Sequence, residues 1–105
     1  MNTANPAAAI SDNTLKHRFE YASQGHRAIA AYTLEGDVIT FTHTLVPEEL
    51  QGQGVAKQLV LAGLASARQR GLKVVPRCPV FEAYMRKHPE THDLLAAEGR
   101  SLLGL

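Results

Sequence analysis

A single cysteine, Cys78, occurs among the 105 residues, so no disulfide can close within the chain, which suits a reducing compartment. Neither sign of charge is in excess. Eleven basic residues against ten acidic ones leave a formal charge of +1, and the two signs are interspersed. That balance argues against a nucleic-acid partner, whose phosphates demand a basic face or stripe. Long apolar runs are missing as well: no window approaches the ~20 apolar residues that cross a bilayer. Residues 1–14 hold no basic residue and no long apolar core, which speaks against a secretory leader. These absences lead to the expectation of a cytoplasmic domain with no membrane partner, monomeric or weakly dimeric.

What is present is ordinary for a folded domain: 45% hydrophobic and 20% charged residues. A chain of this length forms one domain and buries roughly two thirds of the surface its unfolded form exposes. "MNTANPAAAISDNT" is small, polar and non-periodic, and reads as a mobile tail over residues 1–14. "LKHRFEYA" alternates, with Leu15, His17, Phe19 and Tyr21 on one side, and reads as a half-buried strand. "HRAIAAYTLE" supplies a second strand, weakened by its alanines. Glu35-Gly36-Asp37 signals a tight turn into a third, residues 38–46, ending at Pro47. From Gly54 to Arg70 the apolar period becomes helical, with Val55, Ala56, Leu59, Val60, Ala62, Gly63, Leu64 and Ala67 in one stripe and Gly71 as a stop. "LKVVP" is a short strand. "PVFEAYMRKH" is a second helix bounded by Pro79 and Pro89, "ETHDLLAAEG" a weak last helix, and "RSLLGL" a segment that packs or frays. The expected fold is α/β in the α+β sense: a mixed, mostly antiparallel sheet with helices packed on it. Its order is β-β-β-α-β-α plus a short C-terminal helix, with the domain at residues 15–98 and a tail at 99–105.

Two glycines, Gly52 and Gly54, stand where the third strand gives way to the long helix. The first N–H groups of a helix lack intrahelical partners, and the macrodipole draws anions to that end. Glycines there remove the Cβ atoms that would hold a phosphate off the backbone. "QGQGVAK" thus reads as a site where the amides of Gln51, Gly52, Gln53, Gly54, Val55 and Ala56 grip a pyrophosphate, with Lys57 adding a nearby charge. It is no P-loop, since Lys57-Gln58 after Gly54 does not fit G-x-x-x-x-G-K-[ST]. It is no dinucleotide fingerprint either, for a third glycine is missing. A plain β-to-α turn with a glycine cap is the competing reading.

Gln51, Gly54 and Ala56 fill the three fixed positions of [Q/R]-x-x-G-x-[G/A], and the stretch resembles the acetyl-CoA signature of the GNAT superfamily of N-acetyltransferases. The order of elements around it is similar to the GNAT core over about residues 15–88. "GLKVVPRCPVFEAYMRKHPE" resembles a short, stand-alone branch that is little more than the cofactor-binding core. The resemblance implies a sheet splayed open between the strands at 38–46 and 72–76. The pantetheine arm of coenzyme A would lie in the splay on exposed strand backbone, so Leu45 and Val46 join the residues that hold the cofactor, and the thioester would reach residues 43–46 and 74–78. The acceptor implied is an amine, on a protein or a small molecule.

Acetyl transfer from a thioester needs a neutral amine, a polarised carbonyl and a proton for the leaving thiolate. Cys78 sits at a helix N-terminus beside Arg77, both of which favour a thiolate, so it is a candidate catalytic residue; an inert buried thiol is the alternative. Tyr84 matches by position a helix tyrosine that protonates the leaving thiolate in many GNAT enzymes, against a core tyrosine with a satisfied hydroxyl. His43 is a candidate base, against a hydrogen-bonded core histidine sharing a face with Ile39, Phe41 and Leu45. His88 and His92 are four apart, but Pro89 breaks the helix between them, and no metal is expected. The N-terminal helices and closing hairpin of longer GNAT enzymes have no counterpart in the sequence. A non-catalytic coenzyme A-binding module and an adaptor with a merely structural glycine turn are therefore the rival functions.

Overall fold

A computed structural model describes residues 10–105. Its strands are β1 (Ile10–Asn13), β2 (Arg18–Ser23), β3 (His26–Glu35), β4 (Val38–Leu45) and β5 (Lys73–Pro76). The helices are α1 (Val55–Gln69), α2 (Pro79–Lys87) and α3 (Ala97–Leu103), with 3-10 turns at Glu48–Leu50 and Pro89–Leu94. The strands form one sheet in the order β1-β2-β3-β4-β5. The first three pairings are antiparallel and β4–β5 is parallel, joined through α1. The mixed, mostly antiparallel sheet with packed helices is the fold class expected from sequence.

Departures at the N-terminal end share one cause. Ile10–Asn13, expected in a tail, pairs with β2 from Ile10↔Tyr21 to Asn13↔Arg18, while residues 1–9 of that expected tail lie outside the described residues. A hairpin there needs a turn, so Leu15 and His17 leave the expected strand. Lys16 N–H donates to both the backbone oxygen and Oδ1 of Asn13, His17 takes a positive φ of 55°, and Leu15 is 94% exposed. Ala28 and Ala30, which weakened the reading of β3, are fully buried.

The core lies between one face of the sheet and α1 and α2. Phe19, Tyr21, Ala28, Ala30, Tyr32, Ile39 and Phe41 face the α1 stripe of Val55, Leu59, Val60, Gly63, Leu64 and Ala67. Phe41 stacks on Phe81 of α2 with ring centroids 4.0 Å apart. Gly63 is required where the three meet, because a Cβ there would lie 2.9 Å from the Phe41 ring and 3.2 Å from the Phe81 ring.

The C-terminal segment also departs from expectation. A helix over "ETHDLLAAEG" is interrupted, because Leu95 bridges to Val74 and Ala96 N–H donates to the Val74 carbonyl at 2.9 Å. The helix proper starts only at Ala97 and takes in residues expected in the tail, with Leu103 buried.

Candidate active site

Between β4 and α1 the chain is held by its own side chains. Leu50 is buried to 1% exposure and anchors the 3-10 turn. Gln51 Nε2 donates to the Val46 carbonyl at 3.1 Å and Gln53 Nε2 to the Glu49 carbonyl at 3.2 Å, so both glutamines brace the loop. Gly52 and Gly54 have φ of 80° and 74°, a left-handed conformation that side-chain-bearing residues avoid, and a Cβ on either would meet nothing within 4 Å. The ground above both glycines is open.

The first helical bond of α1 runs from Gln58 N–H to the Gly54 carbonyl at 3.1 Å. Gly54 is the N-cap; no side chain caps the helix and no acidic residue lies in its first turn. Among the described residues, no carbonyl takes the N–H groups of Gly52, Gln53, Gly54, Val55, Ala56 or Lys57. The Gln51 amide, expected in the cradle, is spent on the Glu48 carbonyl at 3.1 Å, so the free amides begin at Gly52. All of residues 52–57 but Gln53 border a depression of about 170 Å³ whose walls also include Val46 and Gln51. Lys57 also lines a second groove, about 230 Å³, between α1 and α2, with Val60, Tyr84, Lys87 and His88. Exposed Glu48 and Glu49 sit behind the loop, where Glu49 lies 3.8 Å from His26.

The sheet does open beside the loop. Strands β4 and β5 pair only from Val38↔Lys73 to Phe41↔Pro76. Beyond that, Cys78 N–H donates to the Phe41 carbonyl at 2.8 Å, the chain turns into α2, and residues 42–45 keep a neighbour only on the β3 side. A β-bulge reshapes this free stretch: Tyr32 pairs with Phe41 but Ala31 with His43, leaving Thr42 as the extra residue. A one-residue slip exchanges the faces of everything that follows. His43 therefore leaves the face of Phe41, contrary to the alternation read from sequence, and is exposed on the far side of the sheet from α1 and α2. Thr44 takes the helix-side position instead, with its Oγ1 3.2 Å from the Cys78 sulfur.

Cys78 is the N-cap of α2, as expected, and 1% exposed. Arg77, expected to lend it a charge, turns away to an ion pair with Glu98 of α3. Tyr84 stands in the groove between the helices, its ring stacked on His88 at 4.0 Å, and its hydroxyl has no hydrogen-bond partner among the described residues. His88 Nδ1 contacts Glu90 at 3.0 Å and His92 Nε2 donates to the Met85 carbonyl at 2.8 Å, so the two imidazoles serve different partners. The structure thus gathers the loop amides, Lys57 and the Cys78–Thr44 pair around one end of the sheet, with His43 on the opposite face. Thr44 lies within residues 43–46, which the resemblance put near the thioester, but nothing in the run Thr40, Thr42, Thr44 marks where a bulge falls and so which face Thr44 takes.

No described helix is long and apolar enough to cross a membrane. Residues 18–94 match the family described as GCN5-related N-acetyl-transferase. The chain is also similar to the NMR solution structure of a GCN5-like protein from Staphylococcus aureus assigned as an N-acetyltransferase. That similarity is 27% identity and a TM-score of 0.65, over 83% of this chain and 86% of that one.

Proposed function

This chain belongs to the GCN5-related N-acetyltransferases, and from that premise we infer that it carries an acetyl group from acetyl-CoA to an amine. One observation supports the donor above all others: no backbone carbonyl among the described residues takes the N–H groups from Gly52 to Lys57, and the ground above Gly52 and Gly54 is open. Six unpaired donors are costly unless water or an anion meets them, and a helix N-terminus favours the anion. In this reading they hold the diphosphate of coenzyme A, with Lys57 beside it. The free edge of β4 over residues 42–45 offers backbone groups to the amides of the pantetheine arm, which would extend the sheet as a strand does. Its far end falls by Thr44 and Cys78. Acetyl-CoA supplies the activated acyl group, and the protein orients it while the open end of the sheet admits the amine.

Calorimetry with acetyl-CoA, CoA and ATP in parallel tests the donor. Binding of the first two and much weaker binding of ATP is expected, because ATP brings phosphates but no pantetheine. Equal affinity for all three, or no binding, overturns the assignment. Release of the CoA thiol in the presence of an amine panel then tests turnover.

A second reading, coenzyme A binding without transfer, draws on the placement of two expected catalytic groups. Cys78 is 1% exposed and Tyr84 faces the helix groove. Tight binding with no thiol release from any amine would favour it.

A further inference from the structure

Hydroxyl groups on threonines usually settle on a nearby backbone carbonyl, and two here do so. Thr42 donates to Ala31 at 3.3 Å and Thr91 to His88 at 2.7 Å. Thr44 is different: its neighbour is the Cys78 sulfur at 3.2 Å. Either atom can donate in that contact. Cys78 is 1% exposed, the Thr44 oxygen is the acceptor beside its S–H, and sulfur accepts only weakly, which favours the thiol as donor. In that arrangement the hydroxyl keeps its own proton to give elsewhere. Thr44 is half-buried and lies beyond Phe41↔Pro76, the last β4–β5 pair, where the edge of β4 is free. The bulge at Thr42 is what brings it to the helix-side face; without the extra residue His43 would stand there.

We propose that Thr44 is a catalytic residue whose hydroxyl, oriented by the Cys78 thiol, donates a hydrogen bond to the carbonyl oxygen of the bound acyl thioester. That bond polarises the carbonyl for attack by the amine. Cys78 is then a positioning residue, and its burial suits the task, since a donor held in place beforehand needs no reorganisation when charge develops on the oxygen. The inference rests on the acetyl-CoA reading above.

The test compares wild-type protein with Thr44→Val and Thr44→Ser, by calorimetry with acetyl-CoA and with CoA, and by infrared spectroscopy of bound acetyl-CoA carrying a 13C carbonyl. Valine suits a strand and removes only the hydroxyl function, so the fold is retained. The preference for acetyl-CoA over CoA is expected to fall about fivefold in Thr44→Val, the size of one lost hydrogen bond, and to survive in Thr44→Ser. The carbonyl band is expected to sit at lower frequency in wild type and Thr44→Ser than in Thr44→Val. An unchanged preference and an unchanged band in Thr44→Val overturn the proposal, and so does an equal loss of affinity for both compounds. A wild-type protein that binds neither compound overturns the acetyl-CoA reading, and the proposal falls with it; that result is distinct from the other two.

Discussion

The two ends of α1 are finished in opposite ways. At its C-terminus every device for sealing a helix is in use. Gly71 adopts a left-handed φ of 69°, its N–H reaches the Arg68 carbonyl at 3.3 Å, and Leu72 N–H reaches Ala67 at 2.8 Å. Leu72 is buried as the pattern requires, and Arg68 of the last turn forks onto Asp93 at 2.7 and 3.1 Å. At the N-terminus nothing is sealed: no side-chain cap, no acid in the first turn, a glycine at the N-cap and a row of unpaired amides. A sequence able to close one end this fully had the means to close the other. The open end is where the chain forgoes helix stability, and it is the end at which the diphosphate is proposed to bind.

The largest effect should come from exchanging glycines at the two ends. Gly54→Val forces a β-branched residue into a left-handed φ and puts methyl groups over the amides. Affinity for CoA is expected to fall on the order of a hundredfold, as two or more charge-assisted hydrogen bonds are lost. Gly71→Ala imposes a similar backbone penalty, about 1 kcal/mol, at the sealed end. It should lower the melting temperature while leaving CoA affinity unchanged. Calorimetry and thermal melts on both variants check the contrast. Equal losses of CoA affinity from both would show that the ends do not differ in function.

A charge reversal sharpens the same comparison. Lys57 is exposed at the third position of α1, where a glutamate would complement the helix dipole. Lys57→Glu should therefore raise stability by about half a kcal/mol and lower CoA affinity about tenfold, with the loss shrinking as salt is added. A variant that gained stability without losing affinity would separate the helix N-terminus from the ligand.

How much of this was legible beforehand follows the same division. The glycine loop and α1 could be read because each is written locally: Gly52 and Gly54 precede a stripe of helical period that ends at Gly71. The α/β order was legible for the same reason, since Pro47, Pro76, Pro79 and Pro89 mark where elements begin or end, whereas the splay came from the resemblance to the GNAT core. What escaped depends on partners distant in sequence. "ISDN" has no strand pattern of its own and becomes β1 only because β2 offers an edge. The bulge at Thr42 is set by how β4 meets β3, and one slipped residue turned His43 to the exposed face and Thr44 to the helix-side face. Arg77 was assigned to Cys78 by adjacency, but Glu98, 21 positions on, takes it. Leu95 likewise interrupts the last helix because Val74 has a free edge to pair. Each miss is a long-range contact overriding a local pattern.

The smallest effect belongs to the sealed end. The guanidinium of Arg68, bonded to Asp93, holds that carboxyl below its ordinary value of 3.8. A depressed folded-state value means the ion pair contributes stability above the ordinary carboxylate range and loses it as pH falls through the folded value. Both groups are exposed, so the contribution is modest and screened by salt. Arg68→Ala should therefore lower the melting temperature slightly at neutral pH, and the gap to wild type should close as the solution is taken below about pH 4, where Asp93 is protonated even when unfolded. CoA affinity should not move at any pH at which the protein is folded. Thermal melts from pH 7 to pH 3 check this. A gap that persisted undiminished at pH 3 would mean that Arg68 acts through its packing and its bond to the Glu90 carbonyl rather than through its charge.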